Sequence, residues 1–486
     1  MRIPLDRCAT KPVYLQIRDR LRRLIISGTL QPGSRLPSIR SLAKSTQVNK
    51  LTVIEAYSVL EADGLIHARQ GAGYFVNSET ATSPKRESNF APKQDAIVTK
   101  QRNSSFIAQY QASSRAICHP AEIIDFSGGL PIKSDLDDLQ RIARRAMKQV
   151  SDTLFDYGLS QGKCRLREQI SQMLIQQGLV VSPANLIVTN GSAQGLSLIF
   201  RHYVKPGDWV IVESPGYHGA LAILEDIDAR IIGIPMTKKG MNLELLEQYL
   251  RSHRPKLIYT VSTLQNPTGL TTSVTHRRKL LALAEEYECL ILEDNAYEGL
   301  SFVPPPAPIK ALDREDTVIY VGTFSKTLMP GLRVGYMVAT GQHYANLLEQ
   351  KLLHDLHVST VSQAIVSEYL DSGHYRRHLK HLQASNLQNR NQMLAALERY
   401  FPDEATWTVP EGGLFLWVQL PEKLPLLDVC REALAQNVLV SPGNSFFPGQ
   451  GGYNAMRLNF SHAPEIIERG ISVLGKLLKD NLIQTG

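Results

Sequence analysis

A lysine in a setting suited to amine chemistry is the most informative feature of this sequence. Lys326 lies in Thr323-Phe324-Ser325-Lys326-Thr327-Leu328-Met329-Pro330-Gly331-Leu332-Arg333, directly after the apolar run 317–322. An amine at a rigid, water-poor strand end can form a Schiff base with an aldehyde, and nearby hydroxyl groups and an arginine can hold a phosphate. Most single lysines are solvated surface residues, so the prediction depends on the motifs that accompany Lys326.

Four polar motifs precede Lys326, and each follows an apolar run typical of a buried strand. They are Asn190-Gly191-Ser192, Ser214-Pro215-Gly216-Tyr217, Asn266-Pro267-Thr268-Gly269 and Asp294-Asn295-Ala296-Tyr297. In open α/β sheets, ligands bind outside the carboxyl ends of the strands. The residues predicted to converge on one sheet edge are therefore Ser192, Tyr217, Asn266, Asp294 and Lys326.

Each motif also has an ordinary structural explanation. Ser192 at a helix N-terminus can bind a phosphate or simply cap the helix. Tyr217 can stack on a pyridine ring or fill a core. Asp294 can keep a pyridine nitrogen protonated or cap a helix, and Asn266 can contact a ring oxygen or form a β-turn. Only the ordered set favours the chemical interpretation.

The apolar runs predict the elements that position these residues. From about residue 121, seven short runs alternate with amphipathic stretches, which indicates an α/β fold with a mostly parallel seven-stranded sheet covered on both faces. The runs are 186–189, 209–213, 231–235, 257–261, 290–293, 318–322 and 334–339. From about residue 345 the pattern favours long helices and strands at 414–420 and 457–460, as a smaller α+β subdomain.

The first 77 residues predict a separate small domain. Apolar residues recur at helical spacing within 14–25, 39–46 and 49–62, and 65–76 has the pattern of two strands around a Gly-rich turn. This order is typical of a winged helix-turn-helix. Residues 78–120 are polar without a sustained period, which predicts a flexible linker before a domain at 121–486.

The net charge belongs to the first domain. Residues 1–77 hold 12 basic and 5 acidic residues, while the remainder holds 41 of each. The formal charge of +7 therefore lies in this segment, which favours a polyanion such as double-stranded DNA as its partner. The alternatives are an inert basic surface or a protein-binding module, and the charge argues against the second.

Several other classes of protein are not indicated. The five cysteines are scattered without a CxxC spacing, so neither a disulfide framework nor a metal site is expected. The first 25 residues lack a long apolar core, and no run of 18 uncharged apolar residues exists, so we expect no signal peptide and no membrane span. We expect a reducing, cytoplasmic location.

The ordered motifs resemble the fold-type-I, aspartate aminotransferase-like family of pyridoxal 5'-phosphate (PLP) enzymes, over roughly residues 121–480. The resemblance implies that Lys326 bonds to PLP, that Asp294 pairs with its ring nitrogen and that Tyr217 stacks on its ring. It places Asn266 and Tyr297 at the ring oxygen. Around the phosphate it places Ser192, Thr323, Ser325 and Arg333, with Ala193 where several relatives have a polar residue.

Two further residues match family positions that act on other molecules. Tyr157, in Tyr157-Gly158-Leu159-Ser160-Gln161-Gly162, matches the tyrosine that family dimers lend to the partner's site. Arg457, in Arg457-Leu458-Asn459-Phe460, matches the arginine that grips a substrate carboxylate, a planar anion suited to a bidentate guanidinium. The resemblance thus implies a homodimer and an amine or amino-acid ligand.

The N-terminal domain resembles the helix-turn-helix of GntR regulators, on the segments 35–43 and 48–53. A recognition helix of this kind enters the major groove with its first residues at the base edges. The candidate DNA contacts are Arg35, Ser38, Arg40, Asn49, Lys50 and Thr52, with Gly71 in the wing. Relatives usually have Arg where Lys50 stands, which weakens the expectation of bidentate guanine recognition there.

The two resemblances together match the MocR class of bacterial transcription regulators. They imply a PLP-dependent regulator that binds promoter DNA and senses an amine-containing effector. The alternative is an active aminotransferase with an accessory DNA-binding arm, because the apparent catalytic set is complete. A DNA-binding protein with an inactive PLP fold is disfavoured, since Lys326, Asp294 and Arg457 are all present.

Overall fold

The computed structural model describes residues 12–26, 30–31, 33–62, 65–69, 73–77, 95–99, 111, 123–131, 136–149 and 155–484. The chain divides into two compact units, Met1–Lys85 and Arg86–Gly486. Each unit has its own apolar core, and the two are described separately.

The first unit is a three-helix domain with a hairpin, as predicted. Its elements are α1 (Val13–Ile26), α2 (Ile39–Thr46), α3 (Lys50–Ala62), β1 (Ile66–Arg69) and β2 (Gly73–Val76). Ile17, Leu42 and Tyr57 are buried in the core that joins the three helices. The hydroxyl of Ser38 accepts a hydrogen bond from the backbone N–H of Ser41 and so caps α2.

The second unit is built on a large, mostly parallel sheet. Its strands are β3 (Ile97–Thr99), β5 (Leu186–Thr189), β6 (Trp209–Ser214), β7 (Arg230–Thr237), β8 (Gly240–Met241), β9 (Leu257–Thr260), β10 (Leu290–Asp294), β11 (Val318–Thr323) and β12 (Gly335–Val338). The order is β3-β7-β6-β9-β10-β11-β12-β5, with β8 beside β7. The five consecutive strands β7, β6, β9, β10 and β11 of this order are parallel to one another. Strand β12 is antiparallel to both of its neighbours, β11 and β5.

The sheet contains all seven predicted strands and two that the sequence pattern did not predict. One of them, β3, lies inside the segment predicted as a linker and pairs antiparallel with β7. Its three residues are too few to show an alternating pattern, but Ile97 packs into the core on one side of the sheet. The linker prediction is therefore wrong for 97–99.

Helices cover both faces of the sheet and continue into the C-terminal part. They are α4 (Leu136–Gln149), α5 (Cys164–Gln176), α6 (Gly191–Tyr203), α7 (His218–Asp226), α8 (Leu243–His253), α9 (Val274–Glu286), α10 (Gly341–Asp355), α11 (Thr360–Asp371), α12 (His374–Tyr400), α13 (Leu426–Ala435) and α14 (Pro464–Gln484). Within the described part of the chain, no helix is long and apolar enough to cross a membrane.

The C-terminal part forms the predicted α+β subdomain. Its sheet has the order β13-β14-β17-β16, formed by β13 (Thr406–Trp407), β14 (Phe415–Gln419), β16 (Ser441–Pro442) and β17 (Ala455–Asn459). A separate pair joins β4 (Ile124–Asp125) to β15 (Val438–Leu439). Because Ile124 and Phe126 lie in the core of this subdomain, the subdomain also includes residues from before the large sheet, unlike the single boundary near 345 that was predicted.

Candidate cofactor site and DNA-binding surface

Lys326 lies three residues beyond the end of β11, at the carboxyl edge of the large sheet. Its Nζ donates a hydrogen bond of 2.7 Å to the backbone carbonyl of Gly129. Burial, together with the positive charges of Arg457 and Arg333, lowers the pKa of Lys326 to about 8 against the opposing effect of Asp294. A partly buried amine of lowered pKa is the group that reacts with an aldehyde near neutral pH.

Asp294 ends the neighbouring strand β10 and is buried. Its Oδ2 accepts a hydrogen bond of 2.8 Å from the hydroxyl of Tyr259, while Oδ1 has no partner among the described residues. Burial raises the pKa of Asp294 to about 6. A buried carboxylate oxygen without a donor is costly unless a ligand supplies one, and a protonated ring nitrogen is such a donor.

Asn266 joins two other predicted residues in a chain of hydrogen bonds. Its Nδ2 donates to the hydroxyl of Tyr297 over 3.2 Å, and its Oδ1 accepts from Nη1 of Arg457 over 2.9 Å. All three side chains are buried. Burial raises the pKa of Tyr297 far above its ordinary value, so the phenol stays protonated and can donate to an anionic oxygen.

Arg457 projects from β17 between two aromatic rings. Its guanidinium carbon lies 3.9 Å from the ring centroid of Phe415 and 4.8 Å from that of Phe446. Its Nη2 also donates to the carbonyl of Ser127. Burial lowers the pKa of Arg457 to about 10, so the side chain remains a cation at neutral pH. The rings cover its faces, and only its N–H edge can meet a carboxylate.

The phosphate end of the predicted site is built around Arg333. Its Nη1 donates to the hydroxyl of Ser325 and its Nη2 to the carbonyl of Asn190, each over 3.1 Å. A Cβ on Gly191, which has a φ of +74°, would overlap Nη2 of Arg333. The glycine therefore lets the arginine approach the N-terminus of α6, where Ser192 follows and where backbone N–H groups favour an anion.

These groups fit PLP as the sequence predicted. The unpartnered oxygen of Asp294, the amine of Lys326 and the arginine-lined N-terminus of α6 match the ring nitrogen, the aldehyde and the phosphate of that cofactor. Thr323 completes the loop, because its hydroxyl bonds both the hydroxyl and the backbone N–H of Ser325 over 3.1 Å.

Three predicted residues lie at the margin of this cluster. Tyr217 and exposed Ala193 both line a cavity of about 340 Å³ beside α6 and α7. Tyr157 is 87% exposed and packs edge-on against His357, so it does not reach the site of its own chain. The stacking of Tyr217 and the role of Tyr157 in a partner's site stay predictions.

Sequence reasoning missed Tyr259, the aromatic neighbours of Arg457 and the segment 127–131. Tyr259 lies within β9, where all four residues are buried, so no alternation distinguishes its polar group. Segment 127–131 contributes backbone carbonyls, and the side chains of Asn459 and Ser461 donate to the carbonyls of Gly128 and Leu130. Every residue type has a backbone carbonyl, so the sequence cannot show which carbonyls accept hydrogen bonds at the site.

The candidate DNA contacts lie around α2 and α3 of the first unit. Arg35, Arg40, Asn49 and Lys50 are exposed, and Thr52 is partly exposed. The side chain of Asn49 accepts from the backbone N–H of Leu51 at the start of α3. Gly71 lies outside the described residues. The exposed basic side chains precede or begin the two helices that a helix-turn-helix presents to DNA.

Two family models match the chain over separate stretches. The model described as "Aminotransferase class I and II" matches residues 121–474. The model described as "Bacterial regulatory proteins, gntR family" matches residues 13–76.

Relatives of two kinds resemble the chain. The uncharacterized HTH-type transcriptional regulator YdcR of Escherichia coli (strain K12) is 32% identical, over 96% of this chain and 99% of its own. Aromatic-amino-acid aminotransferase 1 of Thermococcus litoralis is 35% identical, over 74% of this chain and 89% of its own. The crystal structure of LysN, an alpha-aminoadipate aminotransferase of Thermus thermophilus complexed with N-(5'-phosphopyridoxyl)-L-leucine, superposes with a TM-score of 0.71 at 32% identity, over 79% of this chain and 100% of that chain.

Proposed function

The chain belongs to the class I and II aminotransferase family and carries a GntR-family domain at residues 13–76, and we propose that it is a PLP-dependent transcription regulator. This domain combination is that of the MocR class. The cofactor is pyridoxal 5'-phosphate, which supplies a reactive aldehyde and an electron-accepting ring when bound. The N-terminal unit binds DNA, and the second unit senses a small molecule.

One observation carries this proposal. The same chain holds a basic N-terminal domain with three helices and a hairpin, and a cluster of Lys326 with the buried side chains of Asp294 and Arg457. A buried carboxylate oxygen without a donor and an amine whose pKa is lowered by burial would destabilise a protein that had no ligand to bind them. A domain kept only as a scaffold has no need of either group.

The effector we propose is a primary amine that also carries a carboxylate. Its amine would take the aldehyde carbon of the cofactor in place of Lys326, and its carboxylate would bind the N–H edge of Arg457. The aldehyde carbon can bond to only one of the two amines, so effector binding would leave Lys326 as a free amine. An effector shifts a regulator only through a difference of this kind between two states.

We further propose that the protein acts as a homodimer in the bacterial cytoplasm, nucleoid-associated when bound to DNA. In this arrangement Tyr157, which is exposed in a single chain, would contribute to the partner's site. Two winged helices would then bind two half-sites about one turn of DNA apart.

The proposal is tested by combining a cofactor measurement with a DNA measurement on the full chain. Purified protein should be yellow, and borohydride should fix the cofactor on the peptide that contains Lys326. Footprinting should show protection of a promoter fragment, and an amino-acid effector should change the footprint and the absorbance of the bound cofactor at the same concentrations. A colourless protein, or one that binds no DNA at low salt, would contradict the proposal.

An active aminotransferase is the second candidate, favoured by the complete set of site residues and by relatives that are named aminotransferases. Steady-state assays with all standard amino acids and several 2-oxo acids separate the two functions. Sustained turnover together with a footprint that no ligand changes would favour the enzyme. Single-turnover spectral changes that alter the footprint favour the regulator.

A further inference from the structure

Asn190 immediately precedes α6, but its side chain does not cap that helix. An asparagine at this position usually accepts a hydrogen bond from a backbone N–H in the first turn, whereas the side chain of Asn190 accepts none. Gln194 holds the loop instead, since its Oε1 accepts from the backbone N–H of Asn190 over 2.8 Å. The side chain of Asn190 is turned toward a different element.

That element is the last turn of α10. Nδ2 of Asn190 donates to Oδ2 of Asp355 over 2.6 Å, and Nε2 of Gln194 donates to the same oxygen over 2.7 Å. The other oxygen of Asp355 pairs with Nζ of Lys351, one turn earlier in α10, and the Lys351 side chain is fully buried. Asp355 therefore accepts from three side chains, two of which come from the N-terminus of α6.

The chain turns sharply directly after Asp355. Leu356 has a φ of 61° and a ψ of −66°, and the backbone N–H of His357 donates to the carbonyl of Asp355 over 2.7 Å. This is a γ-turn of the strained kind, which a residue with a Cβ adopts only where the surrounding contacts fix it. Asp355 is thus held both by its side-chain bonds and by the turn that follows it.

Asn190 also contacts the arginine at the phosphate end of the proposed site. Its backbone carbonyl accepts from Nη2 of Arg333 over 3.1 Å. Arg333 is exposed, and a long side chain of this kind binds an anion at a defined position only if neighbouring groups orient it. A loss of the bond between Asn190 and Asp355 would therefore move the carbonyl that orients Arg333.

We propose that Asp355 is a positioning residue for the cofactor's phosphate group, acting through Asn190 on Arg333. The inference rests on the proposed function, because it assumes that this end of the site binds the phosphate. The direct electrostatic effect of a carboxylate on a phosphate has the opposite sign, since like charges repel. Removal of the charge should strengthen phosphate binding if Asp355 acts only through its field, and should weaken it if Asp355 holds Asn190 in place.

Asp355→Asn separates these two effects. The amide keeps one oxygen, which the buried ammonium of Lys351 should retain, and its NH2 group then faces the NH2 groups of Asn190 and Gln194. Donors cannot bond to one another, so the N-terminus of α6 should lose its bonds to α10. Asn190→Ala is a milder second variant, which removes one donor and leaves the ion pair of Lys351 and Asp355 in place.

The test compares pyridoxamine 5'-phosphate with pyridoxamine, which differ only in the phosphate group and carry no aldehyde that could react with other lysines. Calorimetry on the cofactor-free full chain gives both dissociation constants, and the ratio of the pyridoxamine Kd to the pyridoxamine 5'-phosphate Kd measures what the phosphate contributes. In Asp355→Asn this ratio should fall about 10-fold, because only the phosphorylated compound binds less tightly. Asn190→Ala should lower it by about 3-fold.

Asp313→Asn is the matched control. Asp313 forms another buried ion pair, with Lys310, and bonds the backbone N–H of Val318 at the opposite end of β11 from Ser325. This variant should be less stable than the wild type and keep the wild-type ratio.

A wild-type or higher ratio in Asp355→Asn would overturn the inference, as would an equal fall in Asp313→Asn. If Asp355→Asn does not fold, Asn190→Ala decides alone, and a wild-type ratio in that variant would overturn the inference. A wild-type chain that binds neither compound would overturn the proposed cofactor site itself, a result distinct from a variant whose ratio does not change.

Discussion

The amine of Lys326 donates a hydrogen bond of 2.7 Å to the carbonyl of Gly129. Gly129 belongs to the segment 127–131, which we call the strap, and the strap follows β4 in the C-terminal subdomain. A Cβ on Gly129 would lie 2.8 Å from Nζ of Lys326, so a larger residue at 129 would force the amine to shift. The lysine predicted to react with the cofactor therefore also binds the strap.

A free Lys326 amine should stabilise the strap, because it can donate a hydrogen bond to the carbonyl of Gly129. In the proposed site PLP would bond to the lysine, whereas pyridoxamine 5'-phosphate would fill the same site and leave the amine free. Since one hydrogen bond contributes about 1 kcal/mol, hydrogen exchange of 123–131 should be roughly fivefold slower with the pyridoxamine form than with PLP. Mass spectrometry of peptic peptides measures the difference.

Two variants make this comparison decisive. Lys326→Ala should abolish the difference between the two cofactor forms, because no amine remains to donate. Asn459→Ala, which loses the side chain that bonds the carbonyls of Gly128 and Leu130, should speed exchange of the strap in both forms. Equal exchange in the two wild-type forms would show that the lysine does not control the strap.

The rate at which cofactor-free protein captures PLP should rise with pH. Only the neutral amine reacts with an aldehyde, and the pKa of Lys326 is lowered to about 8 by burial and by the charges of Arg457 and Arg333. The rate should increase from pH 7 to about 9 and then level off, as stopped-flow absorbance can show. Arg457→Met removes one cation and should move the midpoint upward; an unchanged midpoint would contradict the electrostatic explanation.

Asp294→Asn should stabilise the cofactor-free protein and weaken its affinity for PLP. Burial raises the pKa of Asp294 from 3.8 to about 6, so the charged carboxylate disfavours the folded state above pH 6. A difference of about two units corresponds to roughly 3 kcal/mol, which sets an upper bound on the gain. Denaturant unfolding at pH 7.5 should show the gain, and at pH 4, where the acid is protonated in the folded state and roughly half protonated in the unfolded state, most of the gain should disappear.

The same substitution removes the anion that would pair with the ring nitrogen. PLP should therefore dissociate more readily from the variant, as measured by dialysis and absorbance. A variant that lost stability at pH 7.5 while binding PLP as tightly as the wild type would contradict both halves of this prediction.

The sequence predicts the part of the site that consists of polar side chains at strand ends. Lys326, Asp294 and Asn266 each follow an apolar run, and parallel strands bring such positions to one edge. The strap could not be predicted, because its contribution is a carbonyl and its position depends on the pairing of β4 with β15, far away in the chain. Non-local pairing of two-residue strands has no periodic pattern to detect.

In the wing, too, contacts that depend on the pairing of strands could not be predicted from the sequence. Its strands and its glycine turn follow from residue types, and the predicted DNA contacts lie in or just before α2 and α3, except Gly71 in the wing. The side chain of Arg69 is an example of what was missed, because it stacks on Phe75 and its Nε donates to Nε2 of His67. Such contacts between side chains on one face need the register, which the sequence alone did not supply.

Arg457→Ala should weaken the response to amino acids while leaving PLP in place. The hydrogen bonds of the Arg457 guanidinium go to Asn266 and Ser127, and not to Lys326 or Asp294. Its N–H edge carries the buried positive charge that a ligand carboxylate can bind. A charge-assisted pair contributes about 1.5–3 kcal/mol, so half-saturation by an amino acid should rise about 10- to 100-fold. Titration of the absorbance of bound PLP gives this value.

The decisive control is the decarboxylated amine of each amino acid, which can still react at the cofactor but offers nothing to Arg457. Wild-type protein should prefer the acid over its amine, and Arg457→Ala should lose that preference by weakening the acid alone. Arg457→Lys keeps a cation between Phe415 and Phe446 but not the planar pair of donors, so it should recover only part of the preference. If the variants weakened acid and amine equally, Arg457 would act by holding Asn266 and the strap in place, and the effector would not need a carboxylate.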